Sequence, residues 1–96
     1  MRSERAKSWH RLYAKLPRVA QAEADDQYAR RIEDSDHPGI AFKPVTHATL
    51  HGYRCYEARI NLRYRAVCFR DTGRDVYVWF WCATHNEFDK LVRHLR

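Results

Sequence analysis

Four residues in the C-terminal half of the chain have side chains suited to chemistry on a phosphate. Arg59 and Arg65 stand in strand-like runs, Glu57 lies two residues before Arg59, and His85 follows the bulky apolar run Trp79-Phe80-Trp81-Cys82. A guanidinium is poorly suited to a core, and its planar fork matches phosphate oxygens. A histidine or glutamate beside it could move a proton. A blander account also fits: Glu57 and Arg59 could pair as part of a solvated sheet face.

His85 is placed by its neighbours. Thr84-His85-Asn86-Glu87 has the S/T-x-x-E form of a capping box, with Thr84 as N-cap and Glu87 three residues on. His85 is then the first residue of a helix whose apolar stripe is Phe88, Leu91, Val92 and Leu95. The positive end of a helix dipole disfavours a cationic imidazole, so a neutral ring able to accept a proton is expected there. Capping alone accounts for Thr84 and Glu87, so on local grounds His85 also reads as an ordinary exposed residue.

The elements that would carry these side chains can be read from periodicity. Trp9, Leu12, Tyr13 and Leu16 form one stripe of a short helix, and Pro17 separates it from a second helix on which Ala20, Ala24, Tyr28 and Ile32 step by four. Asp34 to Gly39 is the clearest break. Ile40 to Val45 reads as a short edge strand limited by Pro44, and His47 to Gly52 as a loop. Three strands follow, Tyr53 to Ile60, Tyr64 to Arg70 and Val76 to Cys82, the last two joined by a Gly-containing turn at Asp71 to Asp75. Alternation sets Glu57 and Arg59 opposite Tyr56, Ala58 and Ile60, and sets Arg65, Val67 and Phe69 opposite Tyr64, Ala66 and Cys68. The expected fold is α+β: two N-terminal helices packed on a three- to four-stranded antiparallel sheet, with a C-terminal helix. The helices should cover Ala58, Ile60, Ala66 and Cys68 and leave a cationic sheet face to solvent.

Ninety-six residues suffice for one small domain with a modest core. Lys and Arg number 18 against 12 Asp and Glu, a formal charge of +6, which points to an anionic partner or to a merely soluble basic surface. No run approaches the roughly 20 apolar residues of a membrane span, and the first residues begin no signal peptide, so a cytoplasmic location is expected. Cys55, Cys68 and Cys82 lie in apolar runs and read as reduced, buried small hydrophobes. Without a C-x-x-C pair, zinc is not expected, nor is any other metal or small-molecule cofactor. Trp79 and Trp81 read as sheet core or partner contact before they read as a stacking pair for bases.

The runs LYAKLP, HPGIAFKPV, YEARINLRYRAVCF and VYVWFWCATHNEFDKL together resemble the RelE/ParE toxin superfamily of type II toxin–antitoxin systems, the RelE-like and HigB-like members above all. The likeness spans Trp9 to Leu95. It implies a single RelE-like toxin domain over residues 1–96, acting as a metal-independent, ribosome-dependent mRNA endonuclease that inhibits translation. Its partners would be a cognate antitoxin protein, the ribosome and mRNA. ParE-like members instead poison DNA gyrase, and a degenerate, non-catalytic homologue that binds antitoxin or RNA is a further alternative. Carried over by residue, Arg65 would hold the scissile phosphate with Arg59 near it, and His85 would transfer a proton, with Glu57 as another candidate base. Phe88 stands where a tyrosine is common and would serve as a stacking surface, with Arg63 and Arg54 completing the RNA-binding set. Cys82-Ala83 replaces a small pair that often contains glycine, and the N-terminal strand of many members has no expected counterpart before Trp9.

Overall fold

Period-two alternation along the central strands sorts their side chains onto two faces, and helices pack on both, the C-terminal helix covering its face only in part. The computed structural model describes residues 2–33 and 41–95. The break expected at Asp34 to Gly39, the strand start at Ile40 and the side chain of Ile32 lie outside the described residues. The elements run β1 (Ser3–Arg5), α1 (Lys7–Tyr13), α2 (Arg18–Glu33), β2 (Lys43–Leu50), β3 (Tyr53–Arg59), β4 (Tyr64–Asp71), β5 (Val76–Thr84) and α3 (His85–Val92). They build a five-stranded sheet in the order β1-β5-β4-β3-β2.

One face carries α1 and α2. Trp9, Leu16, Ala20 and Ala24 form one core cluster with Ala58, Ile60, Ala66, Cys68, Trp79 and Cys82. Alanines on both sides let α2 approach the sheet closely, while Trp9 meets Trp79 edge-on at 6.3 Å. Such an aromatic pair adds about 1 kcal/mol beyond its buried area. The expectation for Ala58, Ile60, Ala66 and Cys68 therefore holds. The three cysteines are buried thiols, and burial pushes the Cys55 thiol up to about 11.

The opposite face departs from expectation. It is not left wholly to solvent, because α3 folds across it and joins Phe88 and Leu95 to Val45, Ala48, Cys55 and Val67. A bulge on β5 contributes: Val67 pairs with Trp81 but Cys68 with Trp79, so Phe80 is an extra residue. Phe80 and Trp81 consequently both pack on the α3 side, while Trp79 and Cys82 stay with α1 and α2.

The sheet is mixed, not purely antiparallel, and has one strand more than expected. Ser3–Arg5 pairs parallel to β5, supported by a bond from Ala6 N to Trp79 O (2.8 Å) and another from Tyr77 N to Arg2 O (2.9 Å). Three polar residues carry no alternation, so this strand gives no sequence signal. Side chains also anchor it: Trp79 Nε1 donates to Ser3 Oγ (3.3 Å), Arg5 pairs with Asp25 (3.7 Å), and Arg74 donates to Glu4 Oε1 (2.7 Å) and to Asp71 Oδ2 (3.0 Å). Hydrogen bonds from Arg74 hold the Glu4 and Asp71 carboxyls below the usual carboxylate range. At the other edge, β2 extends through the expected loop to Leu50. A bulge between Pro44 and Thr49, with His47 at φ 59, breaks the alternation that would have revealed it. Only His51 (φ 55) and Gly52 (φ 81) remain as the turn, both left-handed as in a type I′ hairpin.

Candidate functional site

The β3–β4 turn is built around Asn61. Its Oδ1 accepts from the backbone N of Arg63 (2.8 Å) and Tyr64 (2.9 Å), and its Nδ2 donates to Glu23 on α2 (3.0 Å). This tight return makes Arg59 and Arg65 direct Cα partners across β3 and β4, with Ala83 of β5 next in the row. Like charges directly opposite one another on a sheet destabilise it. Among the described residues neither arginine forms an ion pair with a carboxylate. Arg65 is instead fixed through Nη1, which donates to the carbonyls of Asn61 (2.8 Å) and Tyr64 (3.2 Å). Its Nε and Nη2 groups make no hydrogen bond among the described residues.

The neighbouring row sets Lys43 of β2 opposite Glu57 of β3. His85 enters from the third side. Its backbone N donates to Arg63 O (2.7 Å), and the cap that starts its helix is complete. Glu87 N donates to Thr84 Oγ1 (3.2 Å), and Thr84 N donates to Glu87 Oε1 (3.3 Å). Ala41, Lys43, Glu57, Arg59, Arg65 and His85 together line a recess of about 80 Å³. That is room for a phosphate-sized group beside three cationic side chains, with a glutamate and a histidine at its wall.

Of the residues singled out from sequence, Glu57, Arg59, Arg65 and His85 thus converge on one recess. Arg63 lies outside it, lining an adjoining depression that shares His85. Arg54 is not brought to the recess. It pairs with Thr49 at the far end of β3 and lines a separate hollow with Val45, His47 and Ala48. Phe88 is a correction: it is only 8% exposed and packs at 6.2 Å from Trp81, so it serves the core and offers no free ring face to a base. The apolar stripe on which it lies was the signal for that. Lys43 was missed because its place opposite Glu57 follows from the hairpin register, which the β2 bulge obscures. Among the described residues no group of three or more His, Cys, Asp or Glu is placed to hold a metal ion. No helix there is long and apolar enough to cross a membrane.

No protein-family model matches the sequence, and no curated protein matches it. The chain is similar to a solved structure, the crystal structure of an archaeal RelE–RelB complex from Pyrococcus horikoshii OT3. The TM-score is 0.61 at 13% identity, over 86% of this chain and 92% of that one. A likeness at that level is one of fold, and the fold is RelE-like.

Proposed function

We propose that this chain is a RelE-like toxin of a toxin–antitoxin system and acts as a ribosome-dependent mRNA endonuclease. The observation that carries the reading is the pair Arg59 and Arg65, two arginines paired across β3 and β4 that both line a recess with Lys43, Glu57 and His85. A fold gains nothing from that repulsion unless an anion relieves it. The similarity to a RelE that is complexed with RelB supports a cognate antitoxin as partner.

In this reading the scissile phosphate sits against Arg59, Arg65 and Lys43. One of Glu57 and His85 accepts the proton of the 2′-hydroxyl as its oxygen attacks phosphorus. The other returns a proton to the 5′-oxygen as the P–O5′ bond breaks, leaving a 2′,3′-cyclic phosphate and a 5′-hydroxyl. The phosphorane gains negative charge that the preorganised guanidiniums stabilise, at about 3 kcal/mol per good donor. An open recess on a small surface does little to position a flexible RNA, and the ribosome supplies that part.

Primer extension on mRNA after induction in cells tests the reading, with Arg65→Ala as control. Discrete cuts bearing 5′-hydroxyl ends, lost in Arg65→Ala while the protein stays folded, are expected. Growth arrest without cuts, accompanied by gyrase inhibition, would replace it with the ParE-like alternative.

A further inference from the structure

A ring that transfers a proton must be held in one orientation, and a histidine is usually held by a carboxylate or carbonyl bonded to its second ring nitrogen. His85 has no such partner among the described residues. Its imidazole forms no hydrogen bond or ion pair there. Glu87 is taken up by the cap, accepting from Thr84 N (3.3 Å) and Thr84 Oγ1 (2.8 Å). Glu57 shares the recess and Asp89 lies one turn along α3, yet neither bonds to the ring. The cap and the bond to Arg63 O fix the His85 backbone, so something other than hydrogen bonding must fix its ring.

The imidazole does meet Phe88. The two rings are inclined by 12° with centroids 6.5 Å apart, an offset-parallel pair three residues apart on α3. Phe88 is itself fixed: it is buried with Val45, Val67 and Leu95 and rests on Trp81 at 6.2 Å. Trp81 is there because of the β5 bulge. Strict alternation would set Trp81 on the same face as Trp79, under α1 and α2, and the extra residue Phe80 turns it to the α3 side. Bulges beside functional sites re-aim side chains in this way. A series of contacts thus leads from the sheet, through Trp81 and Phe88, to His85 at the wall of the recess.

We propose that Phe88, seated on Trp81, is the positioning residue of this site and holds the His85 imidazole at the recess beside Arg59 and Arg65. The inference rests on the nuclease reading and supplies the orienting group for its proton-transfer ring. A ring wall fixes the imidazole by contact. Unlike a bonded carboxylate, it leaves both ring nitrogens open to substrate and water.

Two measurements test it. In the folded wild-type protein, nuclear Overhauser contacts between the His85 and Phe88 ring protons are expected, and their absence overturns the proposal. Cleavage of ribosome-bound mRNA is then compared in Phe88→Leu, Phe88→Met and Phe88→Tyr. Leucine and methionine keep the position apolar and helical without a ring. Either should lower kcat about ten- to a hundredfold with KM unchanged, because the cations that meet the substrate are still in place. Phe88→Tyr keeps the ring and should cut as the wild type does. A purely structural role would lower cutting in any background, so Phe88→Leu is also combined with His85→Ala, where it should cause no further loss. A wild-type kcat in folded Phe88→Leu, or an equally large loss in the His85→Ala background, overturns the positioning role and leaves the nuclease reading standing. No cutting by the wild-type protein overturns both. If neither the leucine nor the methionine variant folds, the wild-type ring contact alone decides.

Discussion

Arg59 and Arg65 face one another without a carboxylate between them, and that arrangement separates the needs of the fold from those of the site. Removing one charge should relieve repulsion worth roughly 0.2–1 kcal/mol. Arg59→Gln is therefore expected to raise the melting temperature by about 1–8 °C, as measured by thermal unfolding. The same change should cut mRNA cleavage by about a hundredfold. A variant that is both less stable and fully active would show that Arg59 works for the sheet. His85 tests the other half of the site. It is exposed, so His85→Ala should change stability by less than about 0.5 kcal/mol, yet lower ribosome-dependent cleavage ~10²–10⁴-fold. Full cleavage would remove it from proton transfer. At this scale the sequence was informative where a residue's type conflicted with its element, as with arginine in mid-strand or histidine at a capped helix start. It misled at Phe88, where likeness to a stacking position was set against plain membership of a buried stripe. It was silent on Lys43.

At the scale of elements, legibility followed regularity. Tyr53–Arg59 and Tyr64–Asp71 pair in an unbroken register and were read with their faces correct, and α3 was read from its cap. β1 and the second half of β2 were not, because one is three polar residues and the other carries a bulge. Both hidden pieces depend on local chemistry that pattern does not encode. For α3, Thr84→Ala should cost about 1 kcal/mol in denaturant unfolding and loosen the turn that aims His85. For β1, Arg74 is the link to Glu4 and to the β4–β5 turn. Glu4 and Asp71 are held below their usual values in the folded state, so their contribution is complete above the unfolded carboxylate range. It is lost as pH falls through the folded values. Hydrogen-exchange protection of the Ala6 and Tyr77 amides should thus decline as pH drops below about 4, before that of core strands. Arg74→Ala should weaken protection at neutral pH and abolish this pH dependence. The same decline in the variant would mean that another carboxylate carries the pH dependence, Asp25 paired with Arg5 of β1 (3.7 Å) being the one at hand.

At the scale of the molecule, packing helices on both faces of the sheet confines the open recess to one end, where the basic residues of four elements meet. The +6 charge raised an anionic partner from the outset but could not say whether the charge is diffuse or focused. The structure frames that as a measurement. Single-stranded RNA binding loses affinity with salt at a logarithmic slope of roughly −0.7 per phosphate neutralised. If Lys43, Arg59 and Arg65 carry the contact, the slope should lie near −2, and a rise from about 50 to 200 mM salt should weaken binding roughly 20-fold. If the whole net charge acts as a diffuse surface, the slope should approach −4. An oligonucleotide with a 2′-deoxy sugar at the cut site, followed by fluorescence anisotropy across that salt range, separates the two. Arg65→Ala should flatten the slope by about 0.7 in the focused case, because one phosphate contact is lost. An unchanged slope in that variant would mean that RNA is held elsewhere on the basic surface, and the recess would lose its claim to the scissile phosphate.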